Sequence, residues 1–206
     1  MAMSFYDSAA GRIELEVSDD VYPPQEDSFM LAKAVEGEAE WLGGRRILEV
    51  GCGSGLLSIL ASRLSGSMVD AVDLNPLAVS DTLKNSIRNA AAVNAWVSDL
   101  FSAVSDSYDI IIFNAPYLPC NDMLPGDGGA LISAQWSMRQ GKGNVITMFL
   151  EQALHHLRDR GVVLILFSSL SGDVAGIARC LGYDCEIIDR KKIEWEELLV
   201  ARLMKK

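Results

Sequence analysis

The sequence contains little that would anchor the chain in a membrane or tie it together covalently. It has no apolar run near the roughly 18 residues that a membrane span requires, and its first residues lack the order of a secretory signal. Its four cysteines form no CxxC pair, and with only two histidines no zinc-binding spacing occurs. These absences predict a soluble, cytoplasmic protein that has no bound metal and no disulfide bonds.

Basic side chains are also scarce. The chain has 18 Lys and Arg against 28 Asp and Glu, a net charge of −10, which disfavours charge-driven binding to nucleic acid. Its 206 residues, half of them apolar, suffice for one core. We expect a single domain over residues 1–206, with an N-terminal arm over 1–25. Residues 118–143 are rich in Gly and Pro without periodicity, and we expect them to form a substrate loop.

Short apolar runs alternate with helical patterns along most of the chain. The runs lie at residues 46–50, 68–73, 96–98, 109–113 and 161–167, and the helical patterns between them lie at 56–64, 76–90 and 144–157. This alternation predicts a mostly parallel sheet that is covered by helices on both faces.

The two ends of the chain add further elements. Residues 12–17 alternate polar and apolar side chains and predict a strand, whereas the residues before them are expected to be mobile. A helix is predicted over 27–41. A later helix over 173–181 leads into strands at 185–189 and 195–203. These two strands lack a helical crossover between them, so we expect an antiparallel hairpin at the sheet edge.

A glycine-rich turn, GCGSG at residues 51–55, follows the first apolar run and opens a helix. Such a turn lets the backbone approach a ligand, and we expect its amides to be free to face that ligand. The spacing fits neither the GxGxxG of dinucleotide sites nor the GxxxxGK of phosphate-binding loops. Glu49, just before the turn, would repel phosphate and suits a cationic ligand end. The predicted ligand is therefore not held by phosphates.

Carboxylates end the next two apolar runs. Asp73 stands 22 residues after Gly51, where a carboxylate can accept hydrogen bonds from both hydroxyls of a ribose, and Asp99 stands where it could meet an adenine edge. Taken singly, Asp73 could cap the helix that starts at Pro76, and Asp99 could be a turn residue. Together they favour a site for a nucleoside that carries an amino acid.

The run at 109–113 is followed by Asn114, Ala115, Pro116 and Tyr117. An X-Pro turn after a strand explains the proline, but it does not explain Asn114 or Tyr117. The Asn114 side-chain oxygen and the Ala115 carbonyl offer two acceptors for a planar NH₂ group, and Tyr117 could pack against that group. These residues predict methyl transfer to an amino group by positioning, without a strong base.

With these motifs the chain resembles the class I S-adenosylmethionine-dependent methyltransferases. The resemblance implies a Rossmann-like fold with seven strands and S-adenosylmethionine as cofactor, with S-adenosylhomocysteine as product. It implies that Glu49 and Gly51 border the methionine moiety, Asp73 the ribose, and Asp99 with Leu100 the adenine. The full set implied at the cofactor is Tyr22, Asp27, Ser28, Glu49, Gly51, Cys52, Gly53, Gly55, Asp73, Leu74, Asp99, Leu100 and Asn114.

The segment at residues 21–31, VYPPQEDSFML, narrows the resemblance to the HemK-related release-factor glutamine methyltransferases of the short archaeal and eukaryotic branch. By this likeness Tyr22, Asp27 and Ser28 would close over the cofactor, although Asp27 and Ser28 could equally belong to a capped helix. The likeness implies methylation of the glutamine N5 amide in the Gly-Gly-Gln motif of a class 1 release factor. It also implies a small zinc-binding activator subunit.

Two other hypotheses remain open at this stage. The acceptor motif cannot distinguish one planar NH₂ group from another, so an adenine or guanine amino group in RNA or DNA is an alternative. The motif also has Ala115 where relatives carry proline, and the loop over 134–143 departs from theirs. These departures allow an inactive subunit that binds the cofactor and serves in an interaction.

Overall fold

The structure is a computed structural model that describes residues 1–116, 145–193 and 196–206, and a seven-stranded sheet lies at its centre. The strands of this sheet are β3 (Ile47–Val50), β4 (Val69–Asp73), β5 (Val93–Val97), β6 (Tyr108–Asn114), β7 (Leu157–Ser168), β8 (Tyr183–Ile193) and β9 (Glu196–Lys205). Their spatial order is β5-β4-β3-β6-β7-β9-β8. The five strands β3, β4, β5, β6 and β7 are parallel, and β9 runs antiparallel to both β7 and β8. The predicted parallel sheet with a C-terminal antiparallel hairpin is confirmed.

Helices cover the sheet. They are α1 (Glu26–Gly37), α2 (Ala39–Leu42), α3 (Leu56–Ser65), α4 (Pro76–Arg88), α5 (Val145–His156) and α6 (Val174–Cys180). The expected single helix over 27–41 is wrong, because the chain leaves helical geometry at Glu38 between α1 and α2. Asn75, and not Asp73, caps α4: its side chain accepts a hydrogen bond from Leu77 N at 2.9 Å. Within the described ranges, no helix is long and apolar enough to cross a membrane.

The core divides into two layers because side chains alternate along buried strands. In β6, Ile110 and Ile112 face one layer, whereas Ile111 and Phe113 face the other. The first layer lies against α1 and α3, and the second lies against α5 and α6. Since both faces are covered, every side chain in such a strand can be apolar. The parallel strands thus bring the residues that follow their carboxyl ends to one edge of the sheet.

A separate two-stranded hairpin precedes this architecture. It consists of β1 (Ala2–Ser8) and β2 (Gly11–Val17), so the expectation of a mobile start is wrong. Only Tyr6 of β1 is buried, and its ring stacks on Phe29 with 5.7 Å between the centroids. A strand with one inward side chain has no alternation to read in its sequence, which explains the error.

Polar side chains of α4 hold the hairpin as a neighbouring strand would. Asn85 accepts from Glu16 N at 2.9 Å and donates to Glu16 O at 3.0 Å. Asn89, just after α4, bonds Glu14 N and O at 3.0 and 2.7 Å. Asp81 accepts from the amide of the residue after β2. Every fourth residue from Asp81 to Asn89 meets every second residue of the strand. The two spacings match because four helical residues rise about 6 Å and two strand residues about 6.6 Å.

Replacement of Asn85 tests this ladder. Asn85 is fully buried and also donates to Ser54 O at 2.9 Å. The substitution Asn85→Ala leaves the Glu16 amide and two carbonyls without partners, so we expect the free energy of unfolding to fall by about 2–4 kcal/mol. Urea denaturation measures it. The control Asn94→Ala lies on the exposed edge strand β5 and should change stability by less than about 0.5 kcal/mol. Equal urea denaturation midpoints for the two variants would contradict the stabilising role of the hydrogen bonds between Asn85 and Glu16.

Candidate active site

The candidate site lies at the carboxyl ends of β3 to β6. The glycine turn after β3 has left-handed backbone at Gly51, Gly53 and Gly55, with φ of 73°, 52° and 88°. Gly55 also lacks space for a side chain, because a Cβ there would lie 3.0 Å from the Thr82 Cα. Glycine is therefore required at Gly55, where α3 begins, by both conformation and packing.

Hydrogen bonds within the protein use several amides of this turn. Gly51 N and Cys52 N donate to Val72 O at 2.7 and 3.1 Å, and Gly53 N donates to the Asp73 carboxylate at 3.0 Å. The expectation that the turn's amides are free for a ligand is wrong for these three. Cys52 is buried, and its Sγ accepts from the Thr82 hydroxyl at 3.2 Å. These three amides therefore hold the turn against the end of β4 and are not free to bind a ligand.

Glu49 is buried and directed at the start of α3. Its carboxylate accepts from Ser58 N at 2.8 Å and from the Ser58 hydroxyl. It thereby satisfies an amide in the first turn of α3, where a phosphate could otherwise bind. Burial raises the pKa of Glu49 to about 8, against the opposing effect of the Ser58 hydrogen bonds. This arrangement explains why the turn resembles a phosphate loop without suiting a phosphate.

Asp73 ends β4, next to the glycine turn. Its two carboxylate oxygens accept from Gly53 N at 3.0 Å and from Asn75 N at 2.8 Å, and the pKa of Asp73 is raised by burial. Leu74 follows Asp73 directly in the chain and is half-buried. Each carboxylate oxygen has two lone pairs, so Asp73 keeps acceptor capacity for ligand hydroxyls while it holds the turn.

The segment after β5 has an uncommon backbone. Leu100 is buried with φ of 48°, a left-handed conformation that is unfavourable for a residue other than glycine. Ser98 stabilises this conformation because its hydroxyl donates to Leu100 O at 2.8 Å. Asp99 lies between them, half-buried, with its amide donating to the Ser102 hydroxyl at 3.1 Å. Strained backbone of this kind is concentrated at functional sites.

Asn114 ends β6 and has an unpaired oxygen. Its Nδ2 donates to Asp27 Oδ2 at 3.1 Å and to Ser28 Oγ at 3.3 Å. Its Oδ1 is buried and has no hydrogen-bond partner among the described residues. Buried polar atoms are rarely left unpaired, so this oxygen is suited to receive a donor from a substrate. Ala115 is buried next to it, with its amide donating to Leu166 O at 3.1 Å.

The predicted residues that remain are Pro116, Tyr117 and the substrate loop after Asn114, and Tyr22 near the start of α1. Pro116 is exposed after Ala115, whereas Tyr117 and the predicted substrate loop over 118–143 lie outside the described residues. Tyr22 lies beside Asp27: burial raises the pKa of Tyr22, and its hydrogen bond with that carboxylate adds to the effect. The structure thus brings Asp27 and Ser28 into contact with Asn114, with Tyr22 beside Asp27. Spacing carries no signal for this contact, because 87 residues separate Asp27 from Asn114, and only the family resemblance groups the two at one site.

The described part of the chain holds no group of three or more His, Cys, Asp or Glu side chains that could bind a metal ion. The site is instead a set of carboxylates, one amide and a glycine turn. Such groups fit hydroxyls, amines and planar amides, which are the polar parts of a nucleoside carrying an amino acid and of a glutamine side chain.

Known proteins match this chain in sequence and in fold. The family model described as ribosomal protein L11 methyltransferase (PrmA) matches residues 33–124. A Methanocaldococcus jannaschii protein named as a protein N5-glutamine methyltransferase is 33% identical over 190 residues, covering 91% of this chain and 93% of its own.

Two solved structures have the same fold. The Thermus thermophilus 16S rRNA N2 G1207 methyltransferase, bound to AdoMet and guanosine, superposes with a TM-score of 0.76 at 18% identity, over 100% of this chain and 50% of its own. The E. cuniculi Mtq2–Trm112 complex, responsible for methylation of the termination factor eRF1, gives a TM-score of 0.63 at 21% identity, over 91% of this chain and 99% of that one.

The buried Glu49 makes stability depend on pH. Because burial raises the pKa of Glu49 to about 8, the folded state holds this proton to a higher pH than the unfolded chain, whose glutamate has its ordinary pKa of 4.5. The free energy of unfolding should therefore fall as pH rises through this window, by up to about 1.4 kcal/mol per pH unit from this group. Urea denaturation between pH 5 and 8 should show a smaller slope for Glu49→Gln. Glu40→Gln, an exposed control, should keep the slope of the unchanged chain; equal slopes in all three proteins would contradict this role.

Proposed function

Because the chain belongs to the family of protein N5-glutamine methyltransferases, we propose that it methylates a glutamine side-chain amide with S-adenosylmethionine as the methyl donor. The chain is a methyltransferase with a Rossmann-like fold.

The observation that supports the proposal is the unpaired Asn114 oxygen. Oδ1 is buried at the end of β6, and its amide is fixed from behind by Asp27 and Ser28. A substrate NH₂ group would donate one proton to this oxygen, and the Ala115 carbonyl would receive the second. Held by both protons, the substrate nitrogen is drawn towards tetrahedral geometry, and its lone pair becomes available for attack. Positioning of this kind lowers the barrier without a strong base.

The cofactor site is proposed next to Asn114. Asp73 would accept from the ribose hydroxyls with its remaining lone pairs, and Asp99 with Leu100 would border the adenine. The bound cofactor would supply an electrophilic methyl group on a sulfonium, which becomes the thioether of S-adenosylhomocysteine. The substrate nitrogen gains the methyl and releases one proton to solvent. Neither Glu49 nor the glycine turn is placed to hold a phosphate, and this cofactor has none.

The proposed protein substrate is a class 1 translation release factor, methylated at the glutamine of its Gly-Gly-Gln motif, which would place the enzyme in the cytoplasm. The support is the similarity to the Mtq2–Trm112 complex, responsible for eRF1 methylation. That complex also supports a small partner chain as activator, which we propose to be zinc-binding. The net charge of −10 disfavours a nucleic-acid substrate.

Replacement of Asn114 tests the proposed reaction. With methyl-labelled S-adenosylmethionine, a class 1 release factor and the small partner, we expect labelling of one glutamine, located by mass spectrometry. Asn114→Ala should lower the rate by about 100-fold or more, because it removes an oxygen that orients the nucleophile. Calorimetry should show that the variant still binds the cofactor.

The same assay in a cell lysate separates the alternatives. Label that is removed by protease supports a protein substrate, whereas label removed by nuclease would replace glutamine with a base amino group. Cofactor binding without any Asn114-dependent label, with the partner present, would indicate an inactive subunit. Asn94→Ala, on the exposed edge of the sheet, is the control and should label as the unchanged chain does.

A further inference from the structure

The contact between the start of α1 and the end of β6 assigns a task to Asp27. We propose that Asp27 is a positioning residue: together with Ser28 it fixes the orientation of the Asn114 amide, so that the oxygen and not the NH₂ group faces the substrate. This inference rests on the proposed function of Asn114. It differs from the expectation that Asp27 and Ser28 close over the cofactor.

The groups involved are shielded from water. Asp27 is 5% exposed and Ser28 is 7% exposed. Asp27 Oδ2 accepts from Asn114 Nδ2 at 3.1 Å, and Asp27 Oδ1 accepts from Ser28 N at 2.6 Å and from Ser28 Oγ at 3.2 Å. Tyr22 lies beside the same carboxylate. In a buried site such bonds have no competition from solvent, and each one constrains the next.

The carboxylate sets the direction of the whole network. An ionised carboxylate can only accept hydrogen bonds. The Ser28 hydroxyl has one proton, and because that proton goes to Asp27, its oxygen presents a lone pair to Asn114. Asn114 therefore faces two acceptors and must direct its NH₂ group towards them. Its Oδ1 then points the opposite way, where it is buried and has no partner in the part of the chain that the structure describes.

This orientation selects the chemistry of the acceptor. With Oδ1 forward, Asn114 accepts from an NH₂ group and so matches glutamine, whereas a glutamate carboxylate has no proton to offer. With the amide reversed, Asn114 would present its own NH₂ group to the substrate NH₂ group, and donor would face donor. A site made for a hydrogen-bonding substrate discriminates strongly against one that lacks the matching group.

The substitution Asp27→Asn is the sharpest test because it preserves shape. Ser28 N donates at 2.6 Å to one position of this side chain, so the new amide should keep its oxygen there and turn its NH₂ group towards Asn114. Asn114 would then reverse. We expect kcat to fall roughly 10- to 100-fold, with the cofactor dissociation constant unchanged in calorimetry.

Glu26→Gln is the matched control. Glu26 precedes Asp27 in the first turn of α1, is also acidic, and pairs with Lys191 at the surface. The control removes the same charge from the same helix turn without touching Asn114, so it should keep the unchanged kcat. An equal fall in both variants would overturn the proposal, and so would an unchanged kcat in Asp27→Asn.

A double variant separates positioning from direct action. If Asp27 acts only through Asn114, then Asp27→Asn should have no further effect on kcat in a chain that already carries Asn114→Ala. Independent, multiplying losses would show that Asp27 contacts the substrate or cofactor itself, which would overturn the proposal.

Nuclear magnetic resonance provides a readout that does not depend on turnover. The Asn114 side-chain NH₂ signals, identified by their loss in Asn114→Ala, should exchange with water slowly in the unchanged chain and faster in Asp27→Asn. If the unchanged chain methylated no glutamine, the proposed function would fail, yet this exchange would still decide the Asp27 inference. Equal exchange in both proteins would overturn the inference even with glutamine methylation intact.

Discussion

The hydrogen bond from Asn114 to Asp27 is the contact on which the site's geometry depends, because it joins two parts of the chain that have no local reason to meet. Asn114 is placed by the central sheet, at the end of β6. Asp27 is placed by α1, whose buried residues Met30, Leu31 and Val35 pack into the core layer against α3. The hairpin that precedes α1 is in turn held by α4. The orientation of one amide therefore depends on the packing of several layers.

The glycine turn shows how neighbouring carboxylates change the ligand that a common turn can accept. Helix starts preceded by glycines ordinarily offer amides to anions. Here Glu49 satisfies Ser58 N at the start of α3, and Asp73 satisfies Gly53 N. The turn therefore has fewer free donors and lies next to a carboxylate acceptor, Asp73. A nucleoside with hydroxyl donors fits such a surface better than a pyrophosphate.

Some of this could be predicted from the sequence and some could not, for physical reasons. The buried strands and the Asn75 cap could be predicted because their patterns are local: apolar runs, and a side chain two residues from its partner. Strand β1 was missed because only Tyr6 points inward. The internal use of the Gly51 and Gly53 amides and the Asp27 contact to Asn114 depend on register between distant segments. The family resemblance of residues 21–31 groups Asp27 with Asn114 at one site, but no local pattern in that segment encodes their hydrogen bond.

Ala115 illustrates how the fold compensates for a departure in the acceptor motif. Proline at this position would fix φ through its ring but would have no N–H to donate. Ala115 donates its N–H to Leu166 O at 3.1 Å and is 1% exposed, so the β6–β7 hydrogen bonding extends one residue beyond Asn114. The sheet thereby supplies a restraint on this backbone that a proline ring would otherwise supply. Since the Asn114 carboxamide is fixed separately by Asp27 and Ser28, the loss of the proline does not by itself argue for an inactive chain.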